Sequence, residues 1–368
     1  MNALARDLFV LAFALSFGCS PDVAAQRRSA ARLLDAAEYD SARSVVSALS
    51  RRCPNDTGVL ALEIRLFSAE RRVREATDAL WLRDSLAGTH DPALMVQVLG
   101  AVLGDGDKGC IINTIRACGE LAAEPMYGPV ESALNDHDPD VRRAAVYAIP
   151  RYHHDDAVDA LASEILDDEP MVRAEMLQSA ARLGDKRMLD LTRVLQLDGN
   201  DAVIWYFINM RAALGDRRMR TRLHAELGQV CDLLKVDAAA TLARLGEKEQ
   251  LPVLTEAMRA DDEAVRADAA RALGDLRSDV YVDTLLAAAA DKSEYVRQEV
   301  AYALGETGDA RAVPTLQRLV HDGNPRVRAS AIVALARLRQ PEATIAPALR
   351  DSSLWVRAAA VTALLAVQ

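Results

Sequence analysis

From Val141 onward, the pattern of apolar and polar positions repeats with a period of about 31 residues. An apolar register residue recurs at this spacing, the last time after a two-residue deletion: Val141, Val172, Val203, Leu234, Val265, Val296, Val327 and Val356. Further apolar residues follow 4, 7, 8 and 11 positions later, which places them on one face of a helix, the predicted A helix. A fixed period of this length predicts stacked repeats rather than a single globular core.

Capping residues frame each predicted A helix. Three residues before the register position stand side chains suited to accept an N–H of the first turn, among them Asp138, Asp262, Ser293 and Asn324. Twelve residues after it stand glycines that predict the helix end: Gly184, Gly215, Gly246 and Gly308. A second apolar run follows each turn, and we call it the B helix. No strand pattern interrupts the series, so the chain is predicted to be all-α.

The repeating unit Asp-x-x-x-x-Val-Arg-x-x-x-Ala-x-x-Ala-Leu-Gly-x-x-Gly-Asp resembles the HEAT-like repeat of the phycobilisome-lyase type. The resemblance covers residues 105–368 and about eight and a half units. It implies an α-solenoid of stacked antiparallel helix pairs. It also implies an ion pair between the arginine after each register valine and an acidic residue near a repeat start. The acidic candidates are Asp136, Asp167, Asp198, Asp291, Asp322 and Asp351.

Residues 27–100 follow a different period. Ala42 and Ala76 occupy equivalent places in two similar local sequences. The segment from Ala31 to Asp56 resembles the second helix of a tetratricopeptide repeat and its exit turn, and the spacing of the two alanines agrees with the period of that family. The prediction is a tetratricopeptide-like helical region over 27–100, and the alternative is a pair of generic capping helices.

The segment 1–25 has the pattern of a signal peptide. Leu8 to Phe17 is an apolar run too short to cross a bilayer. Gly18-Cys19-Ser20 follows and resembles a bacterial lipoprotein processing site, which implies a lipid on Cys19. Val23-Ala24-Ala25 is an alternative conventional cleavage site, and a third interpretation makes the segment the start of the first helix. We expect a lipid-anchored or periplasmic protein of the bacterial cell envelope, or a cytoplasmic one if the segment is not a signal.

Net charge narrows the class of partner. The formal net charge is −10, whereas a general nucleic-acid binder needs a basic footprint. We therefore expect no nucleic-acid partner, and contact with a membrane only through the N-terminal lipid.

The cysteines outside the signal suggest packing rather than chemistry. Cys110 and Cys118 occupy apolar positions of the repeat and are predicted to be small buried side chains. Pairing of Cys53 with Cys231 stays open from the sequence.

The sequence contains no recognisable catalytic motif. Deoxyhypusine hydroxylase, which has similar repeats, holds two irons with His-Glu pairs, but none of the six histidines here precedes a glutamate. Resemblance to bilin lyase subunits is confined to the repeat. His153-His154-Asp155-Asp156 could bind a divalent metal but is typical of a solvated turn. We therefore predict no catalytic residue, metal site or cofactor.

One repeat departs from the pattern. Ile204 replaces the arginine, Trp205 and Tyr206 follow it, and Arg211 occupies a position that is mostly leucine elsewhere. The next B helix carries Arg217, Arg218, Arg220 and Arg222. Aromatic residues and arginine are enriched in interface hot spots, so Trp205, Tyr206 and these four arginines form a candidate partner-binding patch. The alternatives are a bend in the solenoid at this repeat and a degenerate repeat with altered packing.

Together these features predict a non-enzymatic scaffold. A protein or peptide partner would bind a long concave face lined by the B helices. One alternative is an enzyme or enzyme subunit of the lyase or hydroxylase type on the same scaffold. Another is a cytoplasmic regulatory subunit.

Overall fold

The computed structural model describes residues 21–228 and 230–367, without the side chains of Pro21 and Asp105. Over these residues it contains 22 α-helices with short 3₁₀ segments and no strand. The predicted all-α solenoid of stacked helix pairs is therefore confirmed. The helices form two compact units, which divide between Gly106 and Asp107.

The N-terminal unit contains five helices: α1 (Pro21–Asp35), α2 (Tyr39–Arg52), α3 (Thr57–Ala69), α4 (Val73–Ala87) and α5 (Pro92–Asp105). Val23, Leu49 and Val59 belong to its apolar core. The turns after α1 and α3 contain Ala37 and Arg71, which both have positive φ. These two turns have the same sequence spacing as Ala42 and Ala76, while membership of the tetratricopeptide family stays a prediction.

The C-terminal unit alternates A helices with shorter B segments. The nine A helices are α6 (Lys108–Glu120), α8 (Pro139–Ala148), α10 (Pro170–Leu183), α12 (Asp201–Ala213), α14 (Asp232–Arg244), α16 (Glu263–Asp275), α18 (Glu294–Thr307), α20 (Pro325–Arg337) and α22 (Leu354–Ala366). The B segments contain α7 (Tyr127–Ser132), α9 (Ala157–Ser163), α11 (Met188–Leu191), α13 (Arg217–Glu226), α15 (Leu251–Ala257), α17 (Val282–Ala288), α19 (Val313–Leu319) and α21 (Glu342–Ile345). Most of these segments begin or continue as a 3₁₀ turn, as in Thr192–Leu197 after α11.

Local chemistry sets the ends of the A helices as the sequence predicts. Asp262 and Asn324 accept first-turn N–H groups at 2.8 Å. The register valines Val172, Val296 and Val327 are fully buried. After each of the first eight A helices comes a residue with positive φ, at the same position of every repeat: Ala122, His153, Gly184, Gly215, Gly246, Arg277, Gly308 and Arg339.

The arginine after the register valine joins neighbouring repeats. Arg297 donates to both carboxylate oxygens of Asp322, in the next repeat, at 2.8 and 3.0 Å. It also donates to the carbonyl oxygen of Asp291 at the start of its own repeat, at 2.9 Å. Equivalent two-pronged pairs form between Arg142 and Asp167, Arg173 and Asp198, Arg266 and Asp291, and Arg328 and Asp351. We call this series the arginine ladder.

The implied ladder has exceptions. The carbonyl oxygen of Asp136 accepts from Arg142 at 2.9 Å. Its carboxylate pairs with no ladder arginine in the described part of the chain, because the residue at that position one repeat earlier is Ile111. Instead its carboxylate lies 3.1 Å from His137. The ladder arginine is also replaced at Ile204 and Lys235.

The C-terminal unit closes on itself. Each A helix contacts the next, and the last, α22, contacts the first, α6. At this junction the Trp355 indole donates to Asp107 at 3.2 Å, and Gly109 leaves room for the Trp355 ring. Arg116 of α6 reaches Glu299 of α18 at 3.1 Å, so the A helices face one another across the ring. The predicted concave face lined by B helices is therefore corrected: A helices line the inside and B segments lie outside.

Small residues near the ends of the A helices explain the direction of curvature. A Cβ at Gly274 would lie 2.7 Å from the Cα of Ala303 in the next A helix, and one at Gly305 would lie 2.9 Å from that of Ala334. Such close approach is possible only without a side chain. The stack therefore bends toward its A helices.

Loss of one ladder arginine should weaken the ring. Arg297→Ala would leave the half-buried Asp322 carboxylate without its partner, so we expect a loss of about 1–3 kcal/mol in the free energy of unfolding. Arg193→Ala removes an exposed arginine paired only with an exposed Asp190, and should cost less than about 0.5 kcal/mol. Urea titrations of both variants measure the difference, and equal losses would contradict a structural role for the ladder.

Candidate functional site

The inner side of the ring is polar and follows its own repeat. Residues 3, 6 and 10 positions after the register residue lie on the A-helix face that points to the ring axis. Position 10 holds Glu120, Arg151, Arg182, Ala213, Arg244, Asp275, Glu306 and Arg337 in successive helices. We call the seven charged residues of this set the inner charged layer. Their recurrence at the same position of seven repeats was a signal that the sequence interpretation missed.

A tyrosine ring lies at the centre of the neighbouring layer, 6 positions after the register residue. The Arg151 guanidinium lies 3.9 Å from the centre of the Tyr147 ring, and those of Arg116 and Arg182 lie 5.1 Å from it. The Tyr147 hydroxyl donates to the Glu120 carboxylate. Cation–π contacts strengthen when water is excluded, so these groups join the neighbouring helices α6, α8 and α10 on the inner side of the ring.

A cavity of about 1000 Å³ opens where the A helices end. The inner charged layer forms its lower wall, and the turns after the A helices form its rim. Six arginines line it, namely Arg151, Arg182, Arg244, Arg277, Arg337 and Arg339, and no lysine does. We call it the axial cavity.

Four carboxylates line the axial cavity, and three of them are shared among five arginines, whereas the fourth is Glu342. Glu120 lies 3.2 Å from Arg151 and 2.8 Å from Arg337. Glu306 lies 2.8 Å from Arg337 and 3.2 Å from Arg277. Asp275 is more loosely placed, 3.9 Å from Arg182 and 3.8 Å from Arg244. Positive charge therefore exceeds negative charge among these groups.

The pKa values of two of these carboxyl groups are shifted in opposite directions. Burial, and then the neighbouring Glu120 carboxylate, raise the pKa of Glu306 to about 7. Although burial opposes ionisation, Arg151 and Arg337 lower the pKa of Glu120 to about 2. Near neutral pH the Glu306 carboxyl is therefore partly protonated and hydrogen-bonded to the Glu120 carboxylate.

The rim of the axial cavity uses an unusual backbone. Four of the eight turns after A helices have a glycine at the positive-φ position, whereas His153, Arg277 and Arg339 hold three of the others. All three side chains line the axial cavity. Left-handed backbone costs a non-glycine residue about 1 kcal/mol or more, and such strain clusters at functional sites.

The predicted aromatic patch is not on the surface. Trp205 is 4% exposed and Tyr206 is 9% exposed, and the Tyr206 hydroxyl donates to Asp237 at 2.7 Å. Their predicted role in partner contact needs correction, because both rings are part of the packing of α12. Arg211 is also internal, and it pairs with Asp216 and donates to the Leu189 carbonyl oxygen at 2.8 Å. The irregular repeat thus replaces the missing ladder contact with Tyr206, Asp237 and Arg211.

The four arginines lie outside that packing, on α13. Arg217 and Arg218 are exposed, and no ion pair to either is found in the described part of the chain. Arg220 pairs with Glu247, which also contacts His224 at 2.8 Å. Arg222 pairs with Glu226 at 2.6 Å. The structure therefore leaves Arg217 and Arg218 as the free charges of the predicted patch.

Exposed apolar residues gather on the two B segments that precede α13. Leu166 is 72% exposed and Leu197 is 85% exposed, at equivalent positions one repeat apart. Leu191 and Val194 lie between them in sequence and are also exposed. We call Leu166, Leu191, Val194 and Leu197 the outer apolar patch. The sequence analysis did not single out these residues, because apolar residues in a B segment are ordinarily expected to pack against the neighbouring helices.

The predicted turn that contains His154 packs against Glu124 and Tyr127. His154 lies 2.9 Å from Glu124 and stacks on Tyr127, with ring centroids 3.9 Å apart. Glu124 raises the pKa of His154 above its usual value. Within the described residues, no group of three or more His, Cys, Asp or Glu side chains has a metal-binding arrangement. Cys19 lies outside the described residues.

The four described cysteines are free. Burial raises the pKa of both the Cys110 and the Cys118 thiol to about 12, in agreement with their predicted packing role. Cys53 is partly exposed and Cys231 is exposed.

A family model described as HEAT repeats matches residues 128–205, 221–296 and 282–364, which is more than half of the chain. The chain is a HEAT-repeat protein. Comparison with curated proteins finds no match. Among the described residues, no helix of this HEAT-repeat protein is sufficiently long and apolar to cross a membrane.

Several solved structures are similar to this HEAT-repeat protein. The structure of human deoxyhypusine hydroxylase in complex with glycerol is 21% identical to this chain and has a TM-score of 0.39. The alignment covers 67% of this chain and 97% of the hydroxylase chain. The complex of CpcE and CpcF of phycocyanin lyase from Nostoc sp. PCC7120 is 17% identical, with coverages of 74% and 94% and a TM-score of 0.31. An engineered protein is 15% identical, with coverages of 96% and 97% and a TM-score of 0.34. All three TM-scores are below 0.5.

The raised pKa of Glu306 should make stability fall with pH. Between the usual value of 4.5 and about 7, the folded state holds a proton that the unfolded state has released, so raising the pH through this window destabilises the fold. Glu306→Gln cannot ionise, so its stability relative to the wild type should rise from pH 5 to pH 7 by up to about 1.4 kcal/mol per pH unit. Urea unfolding at each pH provides the measurement.

Glu256→Gln is the matched control, because Glu256 is exposed on α15. Its difference from the wild type should stay constant over the same range. A constant difference for Glu306→Gln as well would show that Glu306 ionises normally.

Proposed function

We propose that this HEAT-repeat protein is a non-catalytic scaffold that binds a protein partner on the outside of its ring. The observation that carries the proposal is the outer apolar patch. Leu166, Leu191, Val194 and Leu197 are exposed on two consecutive B segments, whereas most large apolar side chains of the unit are buried. Several exposed apolar side chains on neighbouring elements of a protein surface are typical of interaction sites.

The outer apolar patch is held by a rigid frame. Leu166 and Leu197 directly precede Asp167 and Asp198, which accept the forks of ladder arginines. The backbone that presents each leucine is therefore fixed before a partner arrives. Binding to a preorganised surface loses less conformational entropy than binding to a mobile one.

Charge indicates the partner's chemistry. Helix α13 is the next B segment along the ring, and its Arg217 and Arg218 side chains are exposed. A partner surface with an apolar centre and acidic residues along one edge would match this combination. Because the chain as a whole carries a net charge of −10, the local basic edge would also orient such a partner during approach.

Substitutions in the outer apolar patch test the scaffold proposal. The double variant Val194→Asp with Leu197→Asp should weaken binding of the native partner at least about tenfold, because the interface would lose two apolar side chains. Val280→Asp, at an equally exposed apolar residue far along the chain, is the control and should bind normally. The partner is first captured from native lysate by the wild type, and each variant is then titrated with the purified partner after its thermal stability is checked. Normal binding by the double variant would refute the proposal.

Export with a lipid anchor on Cys19 is part of the same proposal. Helix α1 begins at Pro21, Val23 is buried in the N-terminal core, and Asp22 lies 2.9 Å from Arg52. Cleavage before Cys19 would retain these contacts, whereas cleavage after Ala25 would remove them. The contacts therefore support the lipoprotein site over the conventional one.

Cys19→Ala should abolish fatty-acid labelling and release the protein from the membrane fraction. The native chain should begin at a modified Cys19 in mass spectra. A mature chain that starts at Gln26, or one that retains Met1, would contradict lipidation.

A further inference from the structure

The axial cavity has a different chemistry from the outer face, and the scaffold proposal does not use it. Its volume of about 1000 Å³ is at the upper end of the range for small-molecule sites. Six arginines line it in a protein whose net charge is −10. Burying several cations together is unfavourable unless anions neutralise them.

The cavity carboxylates neutralise the arginines incompletely. Arg182 and Arg244 lie 3.9 and 3.8 Å from Asp275, beyond hydrogen-bond distance, although Arg182 also pairs with Glu175 at 3.2 Å. Ladder pairs form hydrogen bonds of 2.7 to 3.0 Å. Burial, together with the positive charges of Arg182 and Arg271, lowers the pKa of Arg244. Asp275, at 3.8 Å, opposes this shift without cancelling it.

The rim adds cations at a conformational cost. Arg277 and Arg339 occupy turn positions that are glycine in four other repeats, and both have positive φ. Arg277 contacts Glu306 at 3.2 Å, while no ion pair to Arg339 is found within the described ranges. Both positions therefore carry a cationic side chain despite the cost of a left-handed backbone.

Guanidinium groups select the ligand chemistry. Their planar forks bind carboxylate and phosphate groups through two parallel hydrogen bonds, which an ammonium group does not do. Arginines at the wall and at the rim can contact separate acidic groups of one ligand. We propose that the axial cavity is a binding site for a small polyanion that carries two or more phosphate or carboxylate groups.

The test uses the full-length protein and defined probes. Pyrophosphate, citrate and inorganic phosphate are titrated calorimetrically in a phosphate-free buffer, with sodium chloride at matched ionic strength as the reference. Pyrophosphate or citrate should bind with a saturable isotherm and raise the melting temperature above the salt reference. Inorganic phosphate, with one acidic group, should bind at least about tenfold more weakly. Pyrophosphate alone would identify a phosphate ligand, and citrate alone a carboxylate ligand.

A matched pair of variants locates the site. Arg277→Gln with Arg339→Gln should weaken binding of the better probe at least about tenfold, and substitution of these rim residues leaves the arginine ladder intact. Arg259→Gln with Arg311→Gln removes the same charge from exposed positions outside the cavity and should bind as the wild type does. Equal weakening in both pairs, or no probe binding beyond the salt reference, would overturn the proposal.

The outer-patch variant separates this inference from the proposed function. Val194→Asp with Leu197→Asp should bind the polyanion normally, because neither residue lines the axial cavity. Loss of polyanion binding in that variant would count against a site in the cavity.

Discussion

The structure depends on the forked hydrogen bonds of the ladder arginines. One guanidinium holds the entry turn of its own repeat through a backbone carbonyl and the next repeat through an aspartate. The contact is partly shielded from water and has charge-assisted geometry, so it fixes the angle between neighbours as well as their distance. Where the ladder is interrupted at Ile204, the Tyr206–Asp237 hydrogen bond takes over the link between α12 and α14. The repeat that looks irregular in sequence is thus integrated by other means.

Much of the fold follows from the sequence, because it is encoded locally. Register residues such as Val172, caps such as Asp262 and stops such as Gly308 each specify one step of a helix pair. Curvature is not local in this sense. It depends on how closely one helix approaches the next, as at Gly305 and Ala334, and small differences accumulate over nine helices. The sequence interpretation therefore identified the repeat but placed the B helices on the wrong side.

The candidate sites also combine features that are encoded locally with features that depend on residues distant in sequence. Trp205 and Tyr206 were selected as candidates by residue type. Both are buried, because helices distant in sequence pack against them, and the sequence of one helix does not show those contacts. The inner charged layer was visible as a regular spacing of one residue per repeat, but its members differ in sign. Only closure of the ring brings Glu120 next to Arg337, which lies seven repeats later in the chain. Long-range electrostatics of this kind are outside the reach of a periodic pattern.

Closure also changes what kind of cooperative system the repeats form. A linear array has two terminal units that can fray, and its stability is a sum over nearest neighbours with open ends. Contact between α22 and α6 supplies the missing neighbour at both ends. No repeat is then peripheral, so melting of one must break two interfaces at once. The point at which the chain is cut becomes arbitrary, and a circularly permuted order of repeats would satisfy the same set of contacts.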